Sequence, residues 1–225
     1  MEKIRLSKLM SEQGFCSRRE ADVYIERGWV LVDGEPVNEL GMKIFPTQKI
    51  TLNRAASEQQ QTQVTILLNK PIAYVSGQAE DGYQPAITLV NAASRWSGDK
   101  TPLRFHPGHL KGIAPAGRLD IDSQGLLVFT QDGRVAKQLV GENSEIDKEY
   151  LVRVTGKMNG NGINMLCHGL SLDGQKLKPA KVSWQNETKL RFAFKGIHRS
   201  QIAKMCEGVG LTVLAMKRIR IGRVP

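Results

Sequence analysis

The sequence predicts an α+β protein in two parts, a small N-terminal module and a larger domain on a largely antiparallel mixed sheet. Within residues 1–53, short runs of helical periodicity are followed by short strand-like runs. Residues 54–63 belong to a polar stretch, NRAASEQQQTQ, whose low complexity marks a linker. In residues 64–225, strand-like runs neighbour one another too often for repeated strand–helix–strand winding, so an antiparallel sheet fits better.

The N-terminal module is predicted to begin with two helices. Residues 5–10, RLSKLM, place apolar side chains at helical spacing, and Gly14 ends that helix. Residues 17–20, SRRE, form a capping box that starts the second helix, which Gly28 ends. Short strands are then expected at 29–32, 36–37 and 49–52, with an Asp-Gly hairpin turn between the first two.

The larger domain is predicted to alternate strands with a few helices. Strands are expected at 64–68, 126–130, 149–154, 181–184 and 189–194, and one or two more within 212–221. Helices are expected at 86–93, 134–140 and 200–208. Residues 94–116 lack apolar periodicity and are interpreted as a long loop.

The charge is distributed unevenly along the chain. The net charge is +10, but residues 1–60 carry nine Lys/Arg against nine Asp/Glu and are neutral. Residues 141–225 carry fifteen Lys/Arg against seven Asp/Glu, a net charge of +8. A segment this basic indicates a polyanionic partner, most simply nucleic acid, and the alternative is a solvated surface.

The cysteines, histidines and apolar runs exclude several classes of protein. Three cysteines at unrelated spacings indicate reduced thiols, with neither a disulfide framework nor a metal site. The four histidines are scattered as well, and His106 and His109 are interpreted as loop residues. No run of roughly 18 apolar residues exists, so no membrane span is expected. The N-terminus lacks the apolar core of a signal peptide, which indicates the cytoplasm.

Basic residues cluster at the start of the second predicted helix. Arg18 and Arg19 lie where the helix N-terminus already carries partial positive charge, so they are locally unfavourable. Free amides and guanidinium groups together make a good phosphate site. With Arg5 and Lys8 of the preceding helix they predict an RNA-contacting face. The alternative is that exposed arginines tolerate a cost of a few tenths of a kcal/mol.

An acidic residue precedes the most apolar predicted strand. Residues 117–133 read GRLDIDSQGLLVFTQDG, which places Asp120 at the mouth of that strand. From the residues alone, Asp120 caps a turn through its side chain or serves catalysis. A pair with Asp122, at successive positions on one face of a strand, would also suit a glycoside hydrolase.

Two resemblances narrow these alternatives. Residues 4–37, IRLSKLMSEQGFCSRREADVYIERGWVLVDGEPV, resemble an S4 RNA-binding domain. GRLDIDSQGLLVFTQDG, together with LNKP at 68–71 and DKEYLV at 147–152, resembles the RsuA-type RNA pseudouridine synthases. This resemblance extends over nearly the whole chain. It implies an S4 domain, then a pseudouridine synthase catalytic domain that isomerises a uridine in structured RNA.

The resemblance also implies roles for individual residues. Asp120 matches the catalytic aspartate, and Arg118 matches an arginine associated with holding the flipped nucleotide or the space it vacates. Tyr150 matches the tyrosine that lies against the target uracil and is a candidate for proton transfer. The carboxylate acts at C1′ as a nucleophile or stabiliser of positive charge, or it removes a sugar proton to give a glycal.

The last motif of the family is altered in this chain. Residues 198–205 read HRSQIAKM, and the family's central basic residue, which pairs with the catalytic aspartate, falls on Ala203. Lys204, Arg199 or Arg118 is then expected to pair with Asp120, which would otherwise tend to hold its proton. Ile202 and Lys204 of this motif are expected to bind the substrate.

The expected partner is ribosomal RNA, with 23S placed first and 16S or transfer RNA as alternatives. No cofactor, metal or membrane is expected, and the chain is expected to act as a monomer. A second hypothesis is a catalytically weak or inactive RNA-binding or ribosome-assembly factor on the same fold. The altered last motif motivates it, as does a C-terminal segment shorter than the family's.

Overall fold

The computed structural model describes residues 1–141, 144–172, 174–195 and 199–225. Its N-terminal part holds two helices packed on short strands, as the sequence predicts. In chain order these elements are β1 (Ile4–Arg5), α1 (Leu6–Glu12), α2 (Arg18–Glu26), β2 (Val30–Val32), β3 (Glu35–Val37), β4 (Lys43–Ile44) and β5 (Ile50–Leu52). They enclose a core of their own, which includes the fully buried Leu6, Met10 and Tyr24.

Both ends of α2 form as the sequence predicts. The Ser17 hydroxyl accepts a hydrogen bond from the Glu20 amide at 3.2 Å, and the Glu20 carboxylate accepts one from the Ser17 amide at 2.8 Å. This reciprocal pair is the capping box. Gly28 follows the helix with φ of +65°, a conformation that glycine adopts without steric cost.

The hairpin between β2 and β3 turns at Asp33 and Gly34. Both residues have positive φ, 52° and 93°, as a type I′ turn requires. The Asp33 carboxylate accepts hydrogen bonds from the Lys49 amide and from the Gln48 side chain, each at 2.8 Å. The turn is therefore tied to the strand that completes this small sheet.

The segment interpreted as a linker is helical. Residues Arg54–Gln61 form α3, and the Asn53 side chain caps it by accepting a hydrogen bond from the Ala56 amide at 3.0 Å. The helix forms because alanine, glutamate and glutamine are all good helix formers. The low complexity of the segment had indicated a flexible linker instead. Gln60 then donates to the Phe15 carbonyl at 2.7 Å, which packs α3 against the N-terminal module.

The larger part of the chain contains the remaining elements. They are β6 (Thr65–Lys70), β7 (Tyr74–Val75), β8 (Gln84–Pro85), β9 (Ala114–Pro115), β10 (Gln124–Thr130), α4 (Gly133–Val140), β11 (Lys148–Gly156), α5 (Gly162–Asn164), β12 (Ser171–Leu172), β13 (Gln175–Lys176), β14 (Lys181–Asn186), β15 (Lys189–Phe194), α6 (Arg199–Glu207) and β16 (Leu211–Ile221). Short 3-10 helices occur at Ala86–Leu89, Ala92–Ser94 and Pro107–Leu110, and a π-helical turn at Met165–Gly169.

Within the described residues, seven strands form one mixed sheet. The order is β14, β15, β11, β16, β10 and β6, with β9 paired to β10 as well. Only the β10–β16 pair is parallel among these, so the expectation of a largely antiparallel sheet is confirmed. The main core covers this sheet and includes Leu127, Phe129, Val152, Leu190 and Phe192.

Three local expectations differ from the structure. The helix expected at 86–93 is divided into two short 3-10 helices, and the loop expected at 94–116 contains a third one and β9. The run at 212–221 forms one strand, β16. Turn-forming residues in an exposed loop adopt local hydrogen-bonded turns that apolar periodicity does not reveal.

The two parts of the chain meet where α2 and α4 begin. The Glu20 carboxylate, besides capping α2, accepts hydrogen bonds from the Gly133 amide at 3.2 Å and from the Gln63 side chain at 2.6 Å. A Cβ at position 133 would lie 2.3 Å from the Ser17 Cβ, so only glycine fits there. Lys137 adds a hydrogen bond to the Ser11 carbonyl at 2.5 Å.

None of the helices in the described ranges is long and apolar enough to cross a membrane. Within the same ranges, no group of three or more His, Cys, Asp or Glu side chains could hold a metal ion. Cys16, Cys167 and Cys206 are all free thiols.

Candidate active site

Asp120 lies in the loop that leads into β10, and its neighbour Leu119 fixes that loop. Leu119 is buried, and its amide donates to the Ser76 hydroxyl at 2.9 Å while that hydroxyl donates to the Leu119 carbonyl at 2.8 Å. The residues on either side of this anchor are Arg118, which is exposed, and Asp120, which is half-buried. The anchor therefore holds Arg118 and Asp120 at the surface of the larger domain.

Lys70, the lysine of the LNKP motif, holds the same loop from the protein interior. It is fully buried, and its ammonium donates to the carbonyls of Pro71 at 2.9 Å, Tyr74 at 2.8 Å and Ile121 at 3.5 Å. Burying an ammonium is costly unless hydrogen bonds compensate it. These bonds join the end of β6 to the residue that follows Asp120.

Asp120 and Asp122 do not share one face of a strand. Residues 118–123 precede β10, and the Ser123 amide donates to the Asp120 carbonyl at 3.1 Å, which closes a turn. The strand geometry on which a carboxylate pair was expected is therefore wrong, because the strand begins only at Gln124.

An open cleft lies beside this loop. It has a volume of about 370 Å³ and is lined by Ile72, Ala73, Tyr83, Ile121 and Asp122. Clefts that bind small molecules range from about 300 to 1,000 Å³, so one nucleotide base has room here. Tyr83 is 41% exposed and offers an aromatic surface.

Tyr150 lies on β11 and is covered in this structure. It is 2% exposed, and its ring stacks on Phe194 with centroids 5.4 Å apart and planes 11° apart. Its hydroxyl accepts a hydrogen bond from Arg218 at 3.5 Å. A ring this buried is closed to a nucleotide base in the free chain, so the expected contact with uracil requires neighbouring side chains to move.

Arg218 is a candidate site residue that sequence reasoning missed. It is the cross-strand partner of Tyr150 on β16 and is 3% exposed. Its Nε donates to the Leu126 carbonyl at 2.6 Å, while its Nη2 is buried without a hydrogen-bond partner. The signal in the sequence was the basic character of an otherwise strand-like run, AMKRIRI at 215–221, in which Arg218 is the fourth residue.

Lys148 and Glu149 precede Tyr150 on the same strand and differ in their surroundings. The Glu149 carboxylate is buried and receives hydrogen bonds from Arg220 and Arg191. These hydrogen bonds, first that of Arg220, hold the pKa of Glu149 below its ordinary value. Lys148 is half-buried, and that burial, followed by the charge of Arg218, lowers the pKa of its ammonium.

The residues expected from the last motif are distributed unevenly. Ile202 is fully buried in the main core on α6, and Lys204 is exposed on the same helix. As placed, Ile202 packs rather than faces RNA, so its expected contact with the substrate stays a prediction. His198 and the side chain of Arg199 lie outside the described residues.

The basic residues expected to bind RNA all lie at the surface of the N-terminal module. Arg5 pairs with Asp22 at 3.4 Å and Lys8 with Glu12 at 3.6 Å, and these pairs are solvent-exposed. Arg18 and Arg19 are exposed at the start of α2, and within the described ranges neither forms an ion pair. Arg18 and Arg19 are therefore better placed than Arg5 and Lys8 to meet phosphate groups.

Known proteins resemble this chain along nearly its full length. Residues 64–204 match the family model of RNA pseudouridylate synthases, and residues 4–47 match the S4 domain. The chain is 34% identical over 225 residues to the dual-specificity RNA pseudouridine synthase RluF of Escherichia coli strain K12, covering 98% of this chain and 71% of that protein. It is 32% identical over 220 residues to ribosomal large subunit pseudouridine synthase B of Bacillus subtilis strain 168, covering 95% of this chain and 84% of that relative.

A crystal structure of a pseudouridylate synthase shares the fold, with a TM-score of 0.64 at 24% identity and coverage of 98% of this chain and 90% of the other. An S4 domain followed by a synthase domain defines the class of protein, an RNA-modifying isomerase. The chain belongs to the RNA pseudouridine synthase family. The DSQGL run after the Arg-Leu-Asp motif predicts a likeness to pseudouridine synthase F, which the match to RluF confirms.

Proposed function

We propose that this chain converts a specific uridine of ribosomal RNA to pseudouridine, with Asp120 acting at C1′ of the target nucleotide. The observation that carries the proposal is the anchored loop. Leu119 and Ile121 are fixed by Ser76 and Lys70, so Asp120 between them is held in a loop whose next two residues, Ile121 and Asp122, line an open cleft. A carboxylate placed rigidly costs little reorganisation when charge develops on the sugar.

The chemistry is an isomerisation within one nucleotide. The bond between C1′ and N1 breaks, the uracil rotates, and C5 bonds to C1′. The proton on C5 is then lost and N1 gains one. Composition is unchanged, so the reaction balances without a co-substrate. A carboxylate at Asp120 either forms a covalent bond to C1′ or stabilises its positive charge, and removal of a sugar proton to give a glycal is the alternative.

Arg118 and Tyr150 are proposed to handle the displaced base. The target must leave its stack, at a cost of about a few kcal/mol. Arg118 is exposed two residues before Asp120, which suits a guanidinium that holds the flipped nucleotide or fills the space it vacates. Tyr150 is proposed to lie against the uracil once its covering side chains have moved.

Residues 1–53 are proposed to bind the RNA and to present it to the catalytic part at 64–225. Residues 54–63, which include α3, connect the two parts. Arg18 and Arg19 supply unpaired charges, with Arg5 and Lys8 beside them. The hydrogen bonds of Glu20 to both parts support a fixed geometry between docking and catalysis. A monomer suffices for this arrangement.

The proposed substrate is 23S ribosomal RNA, ahead of 16S and transfer RNA. The name of the Bacillus subtilis relative refers to the large ribosomal subunit, which supports this order. The altered last motif leaves Lys204, Arg199 or Arg118 as candidates to keep Asp120 ionised.

The proposal is tested by isomerisation of the three RNAs, each transcribed without modifications. Pseudouridine is mapped by carbodiimide labelling and primer extension after incubation with the wild type, Asp120→Asn and Asp122→Asn. We expect one or a few sites in 23S RNA with the wild type and with Asp122→Asn, and none with Asp120→Asn, while RNA affinity stays within about threefold in all three.

The other outcomes are equally informative. Tight RNA binding with no pseudouridine from the wild type would identify an RNA-binding or assembly factor instead. Modification of 16S or transfer RNA alone would overturn the proposed substrate and leave the catalytic role of Asp120 intact. Equal activity of Asp120→Asn would remove that role.

A further inference from the structure

Strand β11 carries Lys148 and Glu149 on opposite faces, immediately before Tyr150. On one face the buried Glu149 is compensated by two guanidinium groups, those of Arg191 and Arg220. The other face carries Lys148 and Tyr150, because side chains alternate along a strand. Tyr150 is in turn the cross-strand partner of Arg218.

The second face holds two cations and no compensating carboxylate. In the described part of the chain, neither Lys148 nor Arg218 forms an ion pair with an acid. Arg218 is only 3% exposed, and its Nη2 has no hydrogen-bond partner among the described residues. Buried charges are normally paired, so an uncompensated pair of cations is unfavourable unless something anionic binds there.

The pair lies beside the loop that carries Asp120. A Cβ at position 117 would be 3.9 Å from Nη1 of Arg218, so Gly117 adjoins the guanidinium. The same Nη1 lies 3.5 Å from the Tyr150 hydroxyl. An anion held here would therefore sit close to both Gly117, three residues before Asp120, and the tyrosine proposed to meet the uracil.

We propose that Lys148 and Arg218 form a binding site for one phosphate group of the RNA strand at or next to the target nucleotide. The proposal rests on the proposed function for the identity of the anion, because RNA supplies phosphate at this place. Lys148 is half-buried and contacts the phosphate directly. Arg218 is closed off from solvent and attracts the phosphate through the low-dielectric interior, where Coulomb interactions are strong.

This site would position the strand rather than perform the chemistry. A phosphate contact fixes register and orientation but reads no base. With one phosphate held at β11 and others at the start of α2, the strand is held at both parts of the protein. The contact would also lower the cost of base flipping, since the backbone on one side of the target is already fixed.

The test measures RNA affinity against salt, with Asp120→Asn as the background so that no substrate is converted. The probe is the 23S fragment containing the modified uridine or, if none is found, a uridine-rich single-stranded oligonucleotide. Lys148→Met should reduce the slope of log K against log salt by about 0.7, the value for one phosphate on a single strand. Lys181→Met, an exposed lysine on the edge strand β14, is the control and should leave the slope unchanged.

A second arm separates RNA phosphate from free phosphate. Inorganic phosphate is added to the protein without RNA, at constant ionic strength with chloride as the reference, and the melting temperature is recorded. Stabilisation by phosphate in the control variant but not in Lys148→Met, with an unchanged RNA slope, would show a free-phosphate site and overturn the RNA assignment. No difference in either arm would overturn the site altogether.

Arg218 is tested by a conservative change because its bond to Leu126 also holds the sheet. Arg218→Lys keeps the charge, so we expect the salt slope to be preserved and the affinity to fall by less than about tenfold. If Lys148→Met loses the slope while wild-type activity is absent, the phosphate site stands and the proposed function fails. If Lys148→Met keeps the normal salt slope while the wild type isomerises uridine normally, the proposed function stands and the phosphate site fails.

Discussion

Gly125 and Arg218 touch through their backbones at the one parallel pair among the described strands of the large sheet. A Cβ at position 125 would lie 2.1 Å from the Arg218 carbonyl oxygen, and Gly125 has φ of +108°. Only glycine satisfies both conditions. The glycine of DSQGL is thus required where β10 meets β16, next to the proposed phosphate site.

Gly125→Ala should destabilise the larger domain by about 2 kcal/mol or more, because left-handed strain adds to a backbone clash. Urea unfolding measured by circular dichroism gives the change. Gly112→Ala is the matched control, since Gly112 has φ of +69° but nothing within 4 Å of its Cβ position. It should cost about 1 kcal/mol, and equal losses in both variants would contradict the clash.

Gly133→Ala should uncouple the two parts of the chain. The new Cβ would lie 2.3 Å from the Ser17 Cβ and 2.4 Å from a Glu20 carboxylate oxygen, so α2 and α4 must separate. We expect calorimetry to resolve two transitions and proteases to cleave near residues 61–64 faster. Gly160→Ala, where nothing lies within 4 Å, should melt like the wild type. A single unshifted transition for Gly133→Ala would show that the interface adapts.

Glu149 should make stability fall at acidic pH. Its pKa in the folded chain lies below the ordinary value of 4.5, so the unfolded chain takes up the proton first as the pH falls. The contribution is therefore complete above about pH 5 and is lost as the pH falls through the folded pKa.

Glu149→Gln should lower the free energy of unfolding at pH 7 by about 2 kcal/mol. This is less than for a fully buried pair, because the Arg191 and Arg220 side chains are 45% and 34% exposed. Urea titrations from pH 3 to 7 measure both the loss and its pH dependence. A variant whose stability still followed the wild-type pH curve would place the dependence on another carboxylate.

Tyr150→Phe should preserve the fold and impair catalysis. The ring still stacks on Phe194, so we expect the melting temperature to change little. Loss of the hydroxyl should lower kcat by about 100-fold if it transfers a proton, with RNA affinity unchanged. Single-turnover isomerisation measures this directly, and an unchanged rate would leave Tyr150 with a packing role.

The thiols should react in a fixed order. Burial, the largest cause, raises the pKa of Cys16 and of Cys206 to about 12, while Cys167 is only half-buried. Since the thiolate is the reactive form, a disulfide reagent at pH 8 should label one thiol of the native protein, and Cys167→Ala should remove that labelling. Rapid labelling of all three thiols would mean that the cores open readily.

Local signals in the sequence were sufficient for much of the fold. The capping box at Ser17, the hairpin at Asp33 and the apolar run after Asp120 each depend on neighbours in the chain, and each forms as expected. The resemblance supplied Asp120 as the catalytic candidate, which periodicity could not. Helix α3 was missed because its composition imitates a flexible linker.

Long-range relationships were beyond the sequence. Arg218 becomes a candidate site residue only because β16 inserts between β10 and β11, which brings it opposite Tyr150 across 68 residues of chain. The hydrogen bond from the Gly133 amide to the Glu20 carboxylate joins residues 113 apart. No periodicity within a segment encodes such a contact.

The central place of β16 has a consequence for synthesis. Residues 211–221 lie between β10 and β11, so the large sheet closes only after they leave the ribosome. The N-terminal module has its own core within residues 4–56 and can fold much earlier. We expect nascent chains of this protein to bind RNA while still unable to modify it.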